Sequence, residues 1–153
     1  MVEFEHEIIL HNDVDEIFSY IAKPESNPIW DSNTFESLHY SEGAVGVGTT
    51  GKSVSRLFGR SYEANFTYDD YDPPHLVSHR MTAGPMEMQT TNGLKEVENG
   101  TQITLSLKVK FKGINKLREP FISKRMKKQF RENLEVLRLY FRLKALSQSK
   151  IDV

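Results

Sequence analysis

Residues 2–10 alternate: Val2, Phe4, His6, Ile8 and Leu10 fall on one face, Glu3, Glu5, Glu7 and Ile9 on the other. A period of two predicts a half-buried strand. Asn12-Asp13 then offers a helix cap, and Val14, Ile17, Phe18 and Ile21 recur at helical spacing. Pro24 ends that helix or starts a short turn running to Trp30. From Thr34 to Phe111 the pattern returns to strands. Gly43-Ala44-Val45-Gly46, Phe58-Gly59-Arg60, Asp72-Pro73-Pro74, Ala83-Gly84-Pro85 and Asn99-Gly100 punctuate them as turns, a spacing that suits an antiparallel meander. In the last strand Ile103, Leu105, Leu107, Val109 and Phe111 alternate with Gln102, Thr104, Ser106, Lys108 and Lys110. Tyr62, Ala64, Phe66 and Tyr68 make a similar face two hairpins earlier. One sheet face is therefore covered and the other wet.

The cover follows at once. After Gly113, the residues Leu117, Phe121, Ile122, Met126, Phe130, Leu134, Leu137 and Phe141 form an apolar helical stripe, with Lys and Arg over much of the rest. A helix from Pro120 to Leu146 would span about 40 Å, enough to cross a whole sheet. The predicted order is strand, one or two short helices, about six strands, one long helix. This is an α+β plan in which a twisted antiparallel sheet of about seven strands curls around the terminal helix. One helix rarely fills such a concavity, so a cavity between helix and sheet is expected.

With 153 residues the chain predicts one domain, placed at 1–147, with 148–153 as a tail. The absence of Cys excludes disulfides, iron–sulfur sites and thiolate metal ligands or nucleophiles, and it fits a reducing compartment. No apolar run approaches a membrane span, and the acidic start Met1-Val2-Glu3-Phe4-Glu5 is unlike a secretory signal, so a cytoplasmic location is expected. The net charge of −1 hides a division: residues 1–107 carry 6 Lys/Arg and 17 Asp/Glu, residues 108–153 carry 14 and 4. Either the basic helix complements an acidic body, or it offers a face to anionic lipid, nucleic acid or a protein.

The motifs with chemical content are few. Gly46-Val47-Gly48-Thr49-Thr50-Gly51-Lys52-Ser53 satisfies a phosphate-loop pattern. The residues that follow, Val54-Ser55-Arg56-Leu57-Phe58-Gly59, run only six long to the next Gly turn, however, so no helix begins at the Lys, and the segment reads as a hairpin turn leading into a strand. His75 and His79 are four apart, but on a strand their rings lie about 13 Å apart, too far for one metal. No Ser-His-Asp order, nucleophile elbow or cofactor motif is present, so no metal, cofactor or catalytic residue is assigned. Nucleic-acid binding lacks a recognisable module. Arg80 is either a rim cation or an inward guanidinium awaiting an anionic or hydrogen-bonding partner. Met81, Met86, Met88 and Met126 suit ordinary core filling or an adaptable apolar pocket.

Several segments together resemble the polyketide cyclase/dehydrase and lipid-transport family of the START-like (SRPBCC, helix-grip) superfamily. They are the opening strand with Asp15-Glu16-Ile17-Phe18-Ser19-Tyr20-Ile21-Ala22-Lys23-Pro24, then Pro28-Ile29-Trp30-Asp31 and Gly46-Val47-Gly48-Thr49. Tyr71-Asp72-Pro73-Pro74, Asn99-Gly100-Thr101 and the closing Leu134-x-x-Leu137 helix complete the set. The resemblance covers nearly the whole chain. It implies a helix-grip fold with an apolar cavity for a lipid or other hydrophobic small molecule, and it carries over no catalytic set.

The leading expectation is therefore a non-catalytic binder or carrier of a hydrophobic molecule. Tyr62, Phe66, Met88, Thr90, Leu105, Met126 and Phe130 are expected to line its cavity, with Trp30 near the mouth and Arg80 as a polar anchor. The first alternative is a cyclase or dehydratase using Asp31, Arg80 or His79 to move protons. The second is an interaction module working through the basic helix, with peripheral membrane contact left open. Oligomeric state is not legible.

Overall fold

The amino-terminal alternation folds as strand β1 (Val2–Leu10), followed by α1 (Val14–Ile21), a 3-10 turn at Pro24–Ser26 and the single-turn helix α2 (Asn27–Trp30). The meander comprises β2 (Thr34–His39), β3 (Thr50–Leu57), β4 (Arg60–Asp72), β5 (Leu76–Ala83), β6 (Met86–Val97) and β7 (Gly100–Phe111). A second 3-10 turn (Gly113–Arg118) leads into α3 (Glu119–Ile151), 33 residues long. The structure, a computed structural model, describes residues 1–31, 34–57 and 59–151. Phe58, in one of the expected turns, and the last two residues of the expected tail lie outside the described residues.

The seven strands form one antiparallel sheet in the order β1-β7-β6-β5-β4-β3-β2. Consecutive hairpins account for every pairing except that of β1, which returns to lie against β7 with Val2 opposite Val109 and Leu10 opposite Thr101. In that register each inward residue of β1 meets an inward residue of β7, as a strand period of two requires. The sheet curls around α3, whose Ile122, Met126, Leu134, Leu137 and Phe141 are buried against it. This is the helix grip.

At one end the grip is tightly packed. Ile17 and Phe18 of α1 meet Leu134, Leu137 and Phe141 of α3 in a single cluster with Ile8, Leu10 and Ile103. Phe141 is 0% exposed. Tyr20 stacks on Tyr140 at 4.5 Å, the Tyr68 hydroxyl donates to the Ala22 carbonyl at 2.7 Å, and Lys144 pairs with Glu16 at 3.1 Å. Burial of each large apolar side chain here contributes about 1.5–3 kcal/mol.

Two local features adjust the frame. A bulge between Tyr68 and Asp70 shifts the register of β4 against β5, so that Tyr68 and Tyr71 both reach the interior, Tyr71 packing edge-on against Phe18 at 5.5 Å. The phosphate-loop look-alike is a turn, with Gly48 at φ 86°, that runs directly into β3. Lys52 is exposed there and no helix follows. A side chain at Gly51 would run into the Phe66 ring and the Leu38 carbonyl.

One sequence expectation needs correction. Leu117 and Phe121, read as part of the buried stripe, are 86% and 85% exposed. The first residue of α3 buried against the sheet is Ile122; Leu117 precedes the helix in the 3-10 turn, and Phe121 points away from the sheet.

Candidate functional site

The interior cavity is built from adjacent rungs of the sheet. Across β5 and β6, His79 faces Thr90 and Met81 faces Met88; across β6 and β7, Asn92 faces Leu105. These six side chains form the floor of a partly enclosed space of about 100 Å³. Met126 and Phe130 of α3 form its roof, and Phe130 is held by an edge-on contact with Phe4 at 5.0 Å. Trp30 and Ile21 close one side. Larger hollows on the outer surface, of about 560 to 670 Å³, are open and bordered by charged side chains. The interior space is distinguished by enclosure and chemistry, not by size.

One wall is polar. Asn133 of α3, 3% exposed, donates to Asp31 Oδ1 at 2.9 Å and accepts from Gln129 Nε2 at 3.1 Å. Thr34 donates to the other Asp31 oxygen at 2.8 Å and lies 3.4 Å from the Ser55 hydroxyl. Asp31 thus ties the chain after α2 to the middle of α3 and to the start of β2. The wall lies where the short helices, the sheet edge and α3 converge. A half-buried carboxylate held by two donors is oriented as well as stabilised.

His79 stands on the floor between aromatic neighbours, 5.7 Å from the Tyr68 ring and 6.4 Å from the Phe66 ring. Burial pushes its pKa down to about 4, against the opposing pull of the Asp69 carboxylate. At neutral pH its ring is uncharged, offering one donor and one acceptor. The Trp30 indole N–H is buried and has no hydrogen-bond partner among the described residues.

Six of the nine expected site residues, Trp30, Met88, Thr90, Leu105, Met126 and Phe130, border this space. Three do not. Phe66 has the expected face but is 3% exposed, its ring filling the layer beside Gly51 instead of facing the void. Tyr62 lies farther along β4, over Gly84 and beside an outer hollow with Met86, Phe111 and Ile122. Arg80 points away from the interior: its side chain is 68% exposed and pairs with Asp69 at 3.1 Å. Its neighbours His79 and Met81 take the inward positions, so alternation sends Arg80 outward. Of the residues weighed for catalysis, Asp31 and His79 border the cavity. Sequence reasoning missed Asn133, Gln129, Thr34, Ser55 and Asn92; for Asn92 the signal was its place in phase with Met88, Thr90 and Leu94.

The described residues contain no cluster of His, Asp and Glu able to hold a metal ion, and no helix among them is long and apolar enough to cross a membrane. Solved structures share the architecture. A START superfamily protein from Mycobacterium smegmatis aligns with a TM-score of 0.76 at 12% identity, covering 94% of this chain and 99% of that one. The Zhui aromatase/cyclase from Streptomyces sp. R1128 aligns with a TM-score of 0.70 at 13% identity, covering 91% and 90%. The di-domain aromatase/cyclase BexL, from the BE-7585A biosynthetic pathway, aligns with a TM-score of 0.71 at 19% identity, covering 90% of this chain and 45% of that one. At these identities the likeness shows the fold. No curated protein matches by sequence. The family described as polyketide cyclase / dehydrase and lipid transport matches residues 1–142, and with the helix grip and its enclosed cavity in place, the chain belongs to that family.

Proposed function

We propose that the protein binds a small hydrophobic molecule in the space between α3 and the sheet, as a carrier or receptor and not as a catalyst. The observation that carries this reading is a partly enclosed interior with Met81, Met88, Leu105, Met126 and Phe130 on most sides and the Asp31–Asn133–Gln129 wall on one. Apolar burial would supply the affinity, at about 25 cal/mol per Å², and the polar wall would set orientation. A space of about 100 Å³ is smaller than the ~150 Å³ cavity that holds benzene. A larger guest therefore needs the methionines to swing aside, which unbranched thioethers do readily.

The test is native mass spectrometry of protein purified from its own cells, beside a Thr90→Phe variant. Expected is a bound small molecule that the variant loses while keeping its thermal stability. A bare wild-type chain, with no thermal shift on adding a small aromatic such as naphthalene, would overturn the reading.

A second reading rests on one observation: Asp31 and the uncharged His79 border the same cavity. In a cyclase or dehydratase, His79 would shuttle a proton while the polar wall held a carbonyl. Turnover of an aromatic polyketide analogue, abolished by His79→Gln with binding intact, would favour catalysis over carriage.

A further inference from the structure

We propose that the first turn of α3, together with the 3-10 turn before it, docks the protein onto an anionic membrane surface. Leu117 and Phe121 are the most exposed large apolar side chains among the described residues, at 86% and 85%, and they stand four residues apart at the entrance to the helix. Charge surrounds them. Residues 118–131 contain six Lys/Arg and a single acid, Glu119, which is engaged by the terminal amino group of Met1 at 2.6 Å. On one side Phe121 borders a hollow with Arg60 and Arg118; on the other it borders a second with Lys124, Arg125 and Lys128.

This combination selects the partner. Two apolar side chains ringed by cations match the boundary between acyl chains and anionic headgroups: the side chains enter the first few ångströms and the cations remain with the phosphates. A nucleic acid would be held by the same charges, but an exposed leucine gives it nothing to stack on, and one Phe is not a stacking platform. The other exposed apolar stripe of α3, Val136, Leu139, Leu143 and Leu146, sits among charges of both signs and carries no such preference. The docking turn lies close to the interior, because Met126 of the cavity roof is about 6 Å along the helix axis from Ile122. The inference does not depend on what the cavity holds.

Cosedimentation of the full chain with vesicles tests it. Expected is binding to vesicles with about one third phosphatidylserine, absent on pure phosphatidylcholine and falling steeply with salt. Lys124→Gln with Lys128→Gln should weaken binding by about 25-fold, roughly fivefold for each charge. Leu117→Ser with Phe121→Ser should weaken it at least about tenfold, whereas Arg142→Gln, at the far end of α3, should leave it unchanged. All of these positions are exposed, and unchanged thermal unfolding confirms that each variant is folded. The proposal is overturned by absence of binding to anionic vesicles at low salt, or by binding that both double variants retain. It is equally overturned if polyuridylate binds through the same lysines while vesicles do not, which would make the surface one for nucleic acid.

Discussion

The two halves of α3 meet the same sheet and do different work. Toward its carboxyl end, Leu134, Leu137 and Phe141 are at most 1% exposed and share one packed cluster with Ile17 and Phe18 of α1, whose Tyr20 packs on Tyr140 and Phe141. One to three turns earlier, Met126, Gln129, Phe130 and Asn133 stand over a space instead of a packed layer. The difference is not hydrophobicity alone. The closed half has a second helix laid across it, while the open half faces thioethers, hydroxyls and amides that do not fill the concavity. Packing and void are thus separated along one helix: the end supported by α1 holds the grip, and the middle stands over the cavity where the proposed guest would sit.

Breaking the closed half should cost most. Phe141→Ala is expected to destabilise the protein by about 3–5 kcal/mol in urea unfolding, against about 1–2 kcal/mol for the half-buried Met88→Ala. Equal losses would remove the distinction between the halves. The next effect belongs to His79. Its folded pKa of about 4 lies below the unfolded value near 6.5, so the unfolded chain takes up a proton that the folded chain refuses. Its contribution is therefore complete above about pH 6.5 and is lost as pH falls toward 4, by up to about 3 kcal/mol. Denaturant midpoints from pH 7 to 4.5 should show this slope, and His79→Gln should flatten it. Asn133→Ala removes the donor to Asp31 from a partly buried network and should cost about 1–3 kcal/mol. The same change should loosen orientation of a bound molecule more than it lowers affinity for purely apolar probes. Arg80→Ala should do least, within about 1 kcal/mol, because an exposed ion pair on the outer face is well screened. A large effect of Arg80→Ala on ligand binding would show that the two faces of β5 have been assigned the wrong way round.

The architecture was readable because strict alternation in β7 and β1 leaves little choice of face, and because a long apolar stripe after seven strands has only one concave surface to cover. The cavity was readable in part. Met88, Thr90 and Leu105 follow from phase alone, but phase says nothing about position along a strand. For that reason Phe66 and Tyr62, correctly inward, were misplaced relative to the void. Arg80 stayed open between rim and interior for a different reason: β5 carries Ser78, Arg80 and Thr82 against Val77, His79 and Met81, a contrast too weak to orient the strand without its neighbours. The polar wall was hidden because Asn133 and Gln129 look like solvent-facing residues in a basic helix. Their burial depends on Asp31, which is 102 residues away from Asn133 in the chain. Leu117 and Phe121 were misread in the opposite sense, since a stripe does not announce where the sheet beneath it ends.

Gly51 fixes the depth of the layer behind this interior. The lack of a side chain there is what lets the Phe66 ring lie back against β3, 6.4 Å from His79. Adding one methyl group would press on that ring and on the Leu38 carbonyl of β2 alike, so both the ring and the β2–β3 pairing would have to shift. A position that borders no part of the cavity is thereby held to glycine by the layer that backs it.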